Sequence, residues 1–247
     1  MANRILTVLI IVLMSNIEGF SQIDTINIDT HDLQMKHLKE GKNKYLVYIE
    51  RPDGVVMDMS IWEREIVFSK FKNEQSINII QNWKNQDTAK TRYIYSINKR
   101  ENFEPLYHYA KSGTGKIDAF NFASNKIVAA DSVTNNSKAD FKVDLQTATL
   151  NWELDLEVFQ TLPFAEGKTF RINFYHPGSK SLPKYYEYKV EGQETLTTVN
   201  NKSIDCWLLK IEYAPKSSAT FWINKTTRDV VKMTEVFNQI KRYKVKF

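Results

Sequence analysis

The chain has 247 residues, of which 42% are hydrophobic, 13% aromatic and 26% charged, and this balance excludes an intrinsically disordered protein. The net charge of +5 comes from basic and acidic residues spread along the sequence, so it does not indicate nucleic-acid binding. Cys206 is the single cysteine, which excludes an intramolecular disulfide and a cysteine-based zinc site.

The first element is an apolar run behind a basic residue. Arg4 precedes the apolar residues 5–14, and a more polar stretch then leads to the small residues Gly19 and Ser21. This is the pattern of a secretory signal peptide, and the run is shorter than the roughly 20 residues that span a bilayer. We therefore expect cleavage near Ser21, one β-rich domain over 22–247, and a periplasmic or secreted protein without a permanent membrane anchor.

Most of the remaining sequence alternates apolar and polar residues with a period of two, which predicts half-buried β-strands. The strands 45–49 and 55–59 flank Arg51-Pro52-Asp53-Gly54, whose proline and glycine favour a hairpin turn. Further strands are predicted at 77–83, 92–97, 106–109, 117–122, 169–175, 185–190, 207–213, 221–223, 231–237 and 243–247.

Residues 150–162 depart from this pattern. A branched apolar residue recurs there at every fourth position before a proline stop: Leu150, Leu154, Val158, Leu162 and Pro163. The same stretch also alternates with a period of two, so a helix is favoured and a strand stays open. A helix would cover the apolar concave face of a curved sheet. The predicted fold is mainly β with minor α, a curved antiparallel sheet or unclosed β-barrel covered by a helical segment.

No motif for catalysis, metal binding or nucleotide binding is complete. Residues 112–116 read Ser-Gly-Thr-Gly-Lys, but a phosphate loop needs glycine in place of Ala110 and Ser or Thr in place of Ile117, so we interpret them as a turn. The four histidines are scattered, and none has the helical spacing of a zinc protease site. Cys206 lies among apolar residues and is predicted to be a buried thiol. We therefore expect no catalytic residue, no metal and no cofactor.

The last predicted strand carries basic side chains on one face and apolar side chains on the other. The basic face is formed by Arg242, Lys244 and Lys246. Such a stripe suits a lipid headgroup or a polyanion, but basic residues also protect exposed edge strands from pairing with other chains. We favour the second interpretation, in which this strand lies at an edge of the sheet.

The second half of the chain, roughly residues 155–237, contains a recognisable set of motifs. They are Asp155-Leu156-Glu157, Leu162-Pro163-Phe164 with Gly167, Val190-Glu191-Gly192-Gln193-Glu194-Thr195-Leu196, Cys206-Trp207-Leu208-Leu209-Lys210 and the segment 221–232. With these motifs the chain resembles an uncharacterised family of secreted domains common in Gram-negative bacteria, whose architecture is similar to periplasmic lipoprotein-carrier and lipoprotein-acceptor proteins (Lol-type). The resemblance implies an unclosed barrel with a helical plug, an apolar cavity for acyl chains, and no catalytic residues or cofactor.

The first functional hypothesis is a non-enzymatic protein that binds an apolar or acylated ligand in the concave face of the half-barrel. The candidate lining residues are Trp207, Leu209, Ile211, Tyr213, Phe221 and Ile223. The second hypothesis is an envelope interaction protein or scaffold with a solid core and a protein partner. The third is a hydrolase with a dispersed site, for which His108, His176 and Cys206 are the candidates.

Overall fold

The computed structural model describes residues 23–30, 32–198 and 200–247. The predicted signal peptide and its cleavage point lie outside these residues. The described residues form one 16-stranded curved sheet that does not close into a barrel, together with one short α-helix. The predicted fold class is therefore confirmed. No helix among the described residues has the length and apolar character needed to cross a bilayer.

The strands are β1 (Ile23–Ile26), β2 (Gly41–Glu50), β3 (Val56–Phe71), β4 (Glu74–Asn85), β5 (Arg92–Lys99), β6 (Pro105–Ser112), β7 (Ile117–Ala123), β8 (Lys126–Ala129), β9 (Lys142–Asp144), β10 (Leu150–Asn151), β11 (Thr169–Tyr175), β12 (Lys184–Thr197), β13 (Ser203–Ala214), β14 (Ser217–Asn224), β15 (Val230–Phe237) and β16 (Ile240–Lys246). The helix α1 spans Asp155–Gln160, and single turns of 3-10 helix occupy Ile28–Thr30, Met35–His37, Thr88–Lys90 and Trp152–Leu154.

The sheet consists of two antiparallel meanders joined through the last strand. One meander runs from β2 to β9 and the other from β11 to β16, and β16 pairs with β2. At the far side β1 and β10 both add to β11 in parallel. The expectation that the last strand lies at an edge is thus wrong, because β16 has β15 on one side and β2 on the other. The basic face of this strand points to the concave side, where Lys244 is buried.

Several strands are longer than the sequence pattern indicates, β3 and β12 most of all. β3 continues from the predicted hairpin to Phe71, and its partner β4 begins at Glu74. Charged residues interrupt the alternation in β3, because Arg64 occupies a buried position between Trp62 and Ile66. A local pattern cannot anticipate a buried cation whose counter-charge lies on a distant helix.

The helix within 150–162 is present but shorter than predicted. The segment begins as the two-residue strand β10, turns through Trp152–Leu154, and becomes α-helical only over Asp155–Gln160. The side chain of Asn151 accepts a hydrogen bond from the Glu153 amide at 2.9 Å and so caps the turn. Both periodicities in the sequence therefore had a structural basis, since a strand and a helix share the segment.

The helix α1 packs onto the concave face of the sheet and fills it. The ring of Phe159 meets Tyr188 of β12 and Phe221 of β14 edge-on, with centroids 4.9 and 4.8 Å apart. Leu154, Leu156 and Val158 are at most 1% exposed in the same cluster. Full burial of each such side chain contributes about 1.5–3 kcal/mol. This packing replaces the disulfides that the chain lacks.

A buried ion pair fixes the position of α1 over β3 and β4. The Nε of Arg64 donates to Oε1 of Glu157 at 2.9 Å, and its Nη1 donates to Oε1 of Gln81 at 2.9 Å. A further nitrogen, Nη2, reaches the carbonyl of Glu153 at 3.0 Å, which Gln81 also contacts. Both charged side chains are 3% exposed. The hydrogen bonds offset the desolvation of the charges and tie the helix to two strands.

We expect Glu157→Gln to lower the free energy of unfolding by about 3–5 kcal/mol, because it leaves the buried guanidinium of Arg64 without a counter-charge. Urea unfolding followed by circular dichroism measures this change. Glu187→Gln removes an exposed pair with Arg171, 3.9 Å apart, and serves as the control. This control substitution should lower the free energy of unfolding by less than about 1 kcal/mol. Equal effects of the two substitutions would show that the buried pair does not hold the helix.

Candidate functional site

Alternate hairpin turns of the sheet gather at one end, which we call the open end. It includes the turns at 51–55 and 237–240, which are neighbours because β16 pairs with β2. The turns at 176–183, 214–217 and 86–91 lie at the same end. In an antiparallel meander every second connection emerges on the same side. The open end therefore joins segments far apart in the sequence.

The side chains of the concave face change from apolar to charged toward the open end. Directly paired residues form rows across the sheet, and the row beside the helix is Phe221, Met233, Lys244, Val47, Ser60 and Asn85. The next row is Ala219, Glu235, Arg242, Ile49 and Asp58. The last includes Ser217, Phe237 and Ile240. An apolar, helix-covered interior thus passes into a charged row and then into exposed apolar residues.

Lys244 is the unusual member of these rows. It is 8% exposed, and its Nζ lies 4.8 Å from the ring centroid of Trp62. Among the described residues it forms no ion pair, and burial lowers the pKa of this lysine although Asp155 acts in the opposite direction. The electron-rich ring face stabilises the ammonium group in place of a carboxylate.

The Trp62 ring is the first layer of a longer stack. It lies parallel to Trp83 with centroids 3.8 Å apart, and the guanidinium of Arg92 covers the other side of Trp83 at 5.0 Å. Arg92 in turn pairs with Glu153 at 3.0 Å, next to α1. The stack therefore links β16, β3, β4 and β5 to the helix and gives the wall beside the open end a rigid shape.

The larger groove at this end has a volume of about 700 Å³ and follows the start of β3. Its lining residues are Leu46, Val56, Met57, Asp58, Met59, Ser60, Ile61, Lys84, Asn85 and Gln86. Met57, Met59 and Ile61 are 48%, 53% and 38% exposed. A second groove of about 680 Å³ lies between the turns at 86–91 and 112–116, and a third of about 200 Å³ lies between Ile49, Glu235, Phe237, Ile240 and Arg242. The first and third grooves place apolar side chains beside charged ones.

The six predicted lining residues lie elsewhere, on the helix-covered part of the concave face. Leu209, Ile211, Phe221 and Ile223 are buried in the core cluster that includes α1. Trp207 and Tyr213 are partly buried and pack against that cluster. None of the six lines any of these three grooves at the open end. Their contact with a ligand stays a prediction.

The groove residues were not predicted from the sequence, although the sequence contains a signal for them. Consecutive apolar residues at 55–57 supply apolar side chains to both faces of a strand, and Met59 and Ile61 then extend the convex face. A half-buried strand needs an apolar surface on one face only. Apolar residues on both faces at a hairpin therefore indicate an exposed apolar surface.

Two of the three candidates for catalysis, His108 and Cys206, occupy closed environments. The Nδ1 of His108 accepts hydrogen bonds from Ser96 Oγ at 2.9 Å and Asn151 Nδ2 at 3.1 Å, and all three residues are at most 2% exposed. Burial lowers the pKa of His108 to about 4. Cys206 is buried as predicted, and burial raises the pKa of its thiol to about 11. His176, by contrast, is exposed.

The segment 112–116 is a hairpin turn between β6 and β7, as predicted. Its closing hydrogen bond runs from the Gly115 amide to the Ser112 carbonyl at 2.9 Å. A Cβ on Gly113 would lie 1.7 Å from the Thr88 carbonyl oxygen, so this position requires glycine for close packing. The described residues contain no group of three His, Cys, Asp or Glu side chains arranged to hold a metal ion.

Comparison with known proteins identifies the family of this chain. No curated protein matches the sequence. One matching solved structure is the crystal structure of a DUF1329 family protein from Desulfovibrio piger, with 9% sequence identity, a TM-score of 0.29, and coverage of 89% of this chain and 87% of the other. The family match spans residues 44–245, which include the motifs that carry the resemblance to an uncharacterised family. That resemblance is confirmed, and the chain belongs to the family described as protein of unknown function, DUF3108.

Proposed function

We propose that the protein is a non-enzymatic binding protein of the bacterial envelope, which takes an apolar or acylated ligand in the larger groove at the open end. The observation that carries this proposal is the exposed apolar lining of a groove of about 700 Å³, to which Met57, Met59 and Ile61 contribute from the convex face, in a protein whose helix-covered concave face is filled. Ligand sites typically have volumes of about 300–1,000 Å³, mostly apolar walls and a few polar groups.

The lining has the chemistry that an acyl chain needs. Met57 and Met59 have flexible, polarisable side chains, which adapt to apolar ligands of different shape. Ile61 extends the apolar wall, while Lys84 and Asn85 supply polar groups at its border. An acyl chain would lie along β3 with its polar end toward Lys84.

The helix-covered face is a less favourable location for the same ligand. Binding against Leu209 or Phe221 requires α1 to move away, because Phe159 occupies that space. Movement of α1 also breaks the buried pair of Arg64 and Glu157, which costs several kcal/mol. The groove along β3 needs no such rearrangement, and this difference favours it over the six residues predicted from sequence.

The closed environments of His108, Ser96 and Cys206 support a non-enzymatic role. Ser96 is 0% exposed, so a substrate does not reach its hydroxyl although His108 is within hydrogen-bond distance. A catalytic cysteine acts as a thiolate, whereas burial keeps Cys206 protonated at neutral pH. Envelope localisation rests on the apolar segment 5–14.

A protein partner is the second candidate function, and the convex face supplies the observation in its favour. The rings of Tyr48 and Tyr243 stack there with centroids 4.7 Å apart, beside the exposed Met59. Aromatic residues and methionine are enriched in the cores of protein interfaces. A partner bound on this face would cover part of the groove wall.

We expect dansyl-labelled undecanoic acid to bind the protein and to accept energy from Trp62 and Trp83, which lie on the strands that border the groove. Palmitate should displace it. The double variant Met59→Ser and Ile61→Ser should weaken binding by about tenfold or more, since each buried CH₂ group contributes about 0.8 kcal/mol.

Phe247→Ser provides the matched control, because Phe247 is 69% exposed at the opposite end of the sheet and should leave the affinity unchanged. Absence of probe binding to the unsubstituted protein would contradict the proposed function. If the Met59→Ser and Ile61→Ser variant still binds the probe but Phe221→Ala does not, the ligand site lies on the helix-covered face and not in the groove.

Burial of His108 predicts a defined pH dependence of stability. Its pKa is about 4 in the folded protein against 6.5 in the unfolded chain, so the unfolded chain binds more protons between these values. The free energy of unfolding therefore falls as the pH is lowered through this window, by up to about 3 kcal/mol. Urea unfolding at several pH values measures the slope, which His108→Gln should reduce. A larger reduction by His176→Gln, at an exposed position, would contradict this assignment.

A further inference from the structure

Exposed apolar side chains occupy the tips of hairpin turns at the open end. Val55 is 50% exposed in the turn 51–55, Phe237 and Ile240 are 61% and 39% exposed in the turn 237–240, and Leu182 is 58% exposed in the turn 176–183. Large apolar side chains at turn tips contribute nothing to the core of this protein. Their position needs an explanation outside the packing of the sheet.

The same turns carry an excess of positive charge. The turns 51–55, 86–91, 176–183, 214–217 and 237–240, taken with Lys184 and Lys241 directly after two of them, contain six basic residues and two acidic residues. The basic residues are Arg51, Lys90, Lys180, Lys184, Lys216 and Lys241, and the acidic residues are Asp87 and Asp53, of which Asp53 pairs with Arg51. The open end therefore combines apolar tips with a positive surface.

The opposite end of the same sheet provides an internal comparison. Its described hairpin turns at 72–73, 100–104 and 225–229 also contain basic residues, among them Lys72, Arg100 and Lys225. None of these three turns presents an exposed large apolar side chain, since Phe103 is 1% exposed. General solubility explains basic turns at both ends, but it does not explain apolar tips at one end.

We infer that the open end docks onto a membrane surface that contains anionic lipid. Apolar side chains at the tips enter the boundary between headgroups and acyl chains, and the surrounding basic residues contact the anionic headgroups. Each basic residue close to such a surface strengthens binding about fivefold. Protrusion of separate tips with lysines between them suits a bilayer better than a flat protein interface, whose core is depleted in charge.

Docking of the open end goes beyond the proposed function, and it would also give an acylated ligand a path from the membrane into the groove. The groove along β3 begins at Val56 and Met57, directly after the turn 51–55. A docked open end would place the groove entrance at the membrane surface. An acylated ligand would then pass between bilayer and groove without crossing water, and that part of the inference rests on the proposed function.

Vesicle flotation tests the docking directly. The protein, purified without detergent, should float with vesicles of phosphatidylethanolamine and phosphatidylglycerol and remain in the bottom fraction with vesicles of phosphatidylcholine. The triple variant Val55→Ser, Leu182→Ser and Phe237→Ser should reduce the bound fraction at least tenfold. The double variant Lys216→Gln and Lys241→Gln should also reduce the bound fraction. Its effect should be strongest at low salt, where the charge contribution to binding is largest.

The matched control is Ile23→Ser with Phe247→Ser, which removes two side chains of 57% and 69% exposure from the opposite end. This control should float like the unsubstituted protein, and urea midpoints should show that all variants remain folded. Flotation of the triple variant at the unsubstituted level would overturn the inference. So would an unsubstituted protein that stays off anionic vesicles, including one that instead self-associates or binds a protein through these tips.

The two proposals fail in distinguishable ways. Val55, Leu182 and Phe237 do not line the larger groove, so the triple variant should still bind dansyl-labelled undecanoic acid with an affinity within about twofold of the unsubstituted protein. If the unsubstituted protein floats with the vesicles but does not bind the probe, the membrane-docking inference stands and the proposed ligand-binding function is contradicted. If it binds the probe but does not float, only the membrane-docking inference is contradicted.

Discussion

The structure depends on covering the concave face of a sheet that does not close. A closed barrel fills its interior with side chains from all its strands, whereas an open curved sheet leaves an apolar face that needs a separate cover. Here the six-residue helix α1 provides the central part of that cover, beside the buried Ile28, Leu33 and Leu38, and it is too short to be stable by itself. Its position is set by Phe159 against Tyr188 and Phe221 and by the buried pair of Glu157 with Arg64. Apolar packing alone would allow α1 to shift along the sheet. The ion pair fixes one position of the helix relative to β3.

The location of β16 decides where polar chemistry enters the concave face. Because β16 joins the two meanders, its inward residues Arg242 and Lys244 lie in the middle of the sheet and not at an edge. Lys244 is tolerated there because Trp62 covers its ammonium group, and Trp62 is itself held by the stack with Trp83. The row of Glu235, Arg242 and Asp58 also marks the limit of the packed interior. Ile49 in this row and Phe237 and Ile240 in the next row line an open groove.

The sequence predicted the helical cover, the buried Cys206 and all strands except β1, β8, β9 and β10 as a separate strand, because each predicted feature depends on a local period or local composition. Alternation located the hairpin around 51–54, and the four-residue spacing located α1, although the strand β10 took the first two residues of that segment. The neighbours of β16 were not predictable, since strand order in a sheet is set by contacts between residues about 200 positions apart, such as Val47 and Lys244. The groove was missed for a related reason. Whether Met59 faces solvent or a covering element depends on what packs against β3, and a periodicity within β3 contains no information about that neighbour.

The division of the molecule into a packed end and an open end follows from the meander topology. Turns that are distant in sequence, such as 51–55 and 237–240, come together without any contribution from the core, because antiparallel strands return to the same end at every second connection. Side chains in these turns can therefore be apolar or basic without disturbing the packing around α1. Stability depends on the helix-covered interior, where Arg64 and Phe159 are buried, and it depends much less on the exposed turns of the open end. A binding role located at the open end is consistent with that separation, because neither the ligand groove nor the apolar tips require the interior to move.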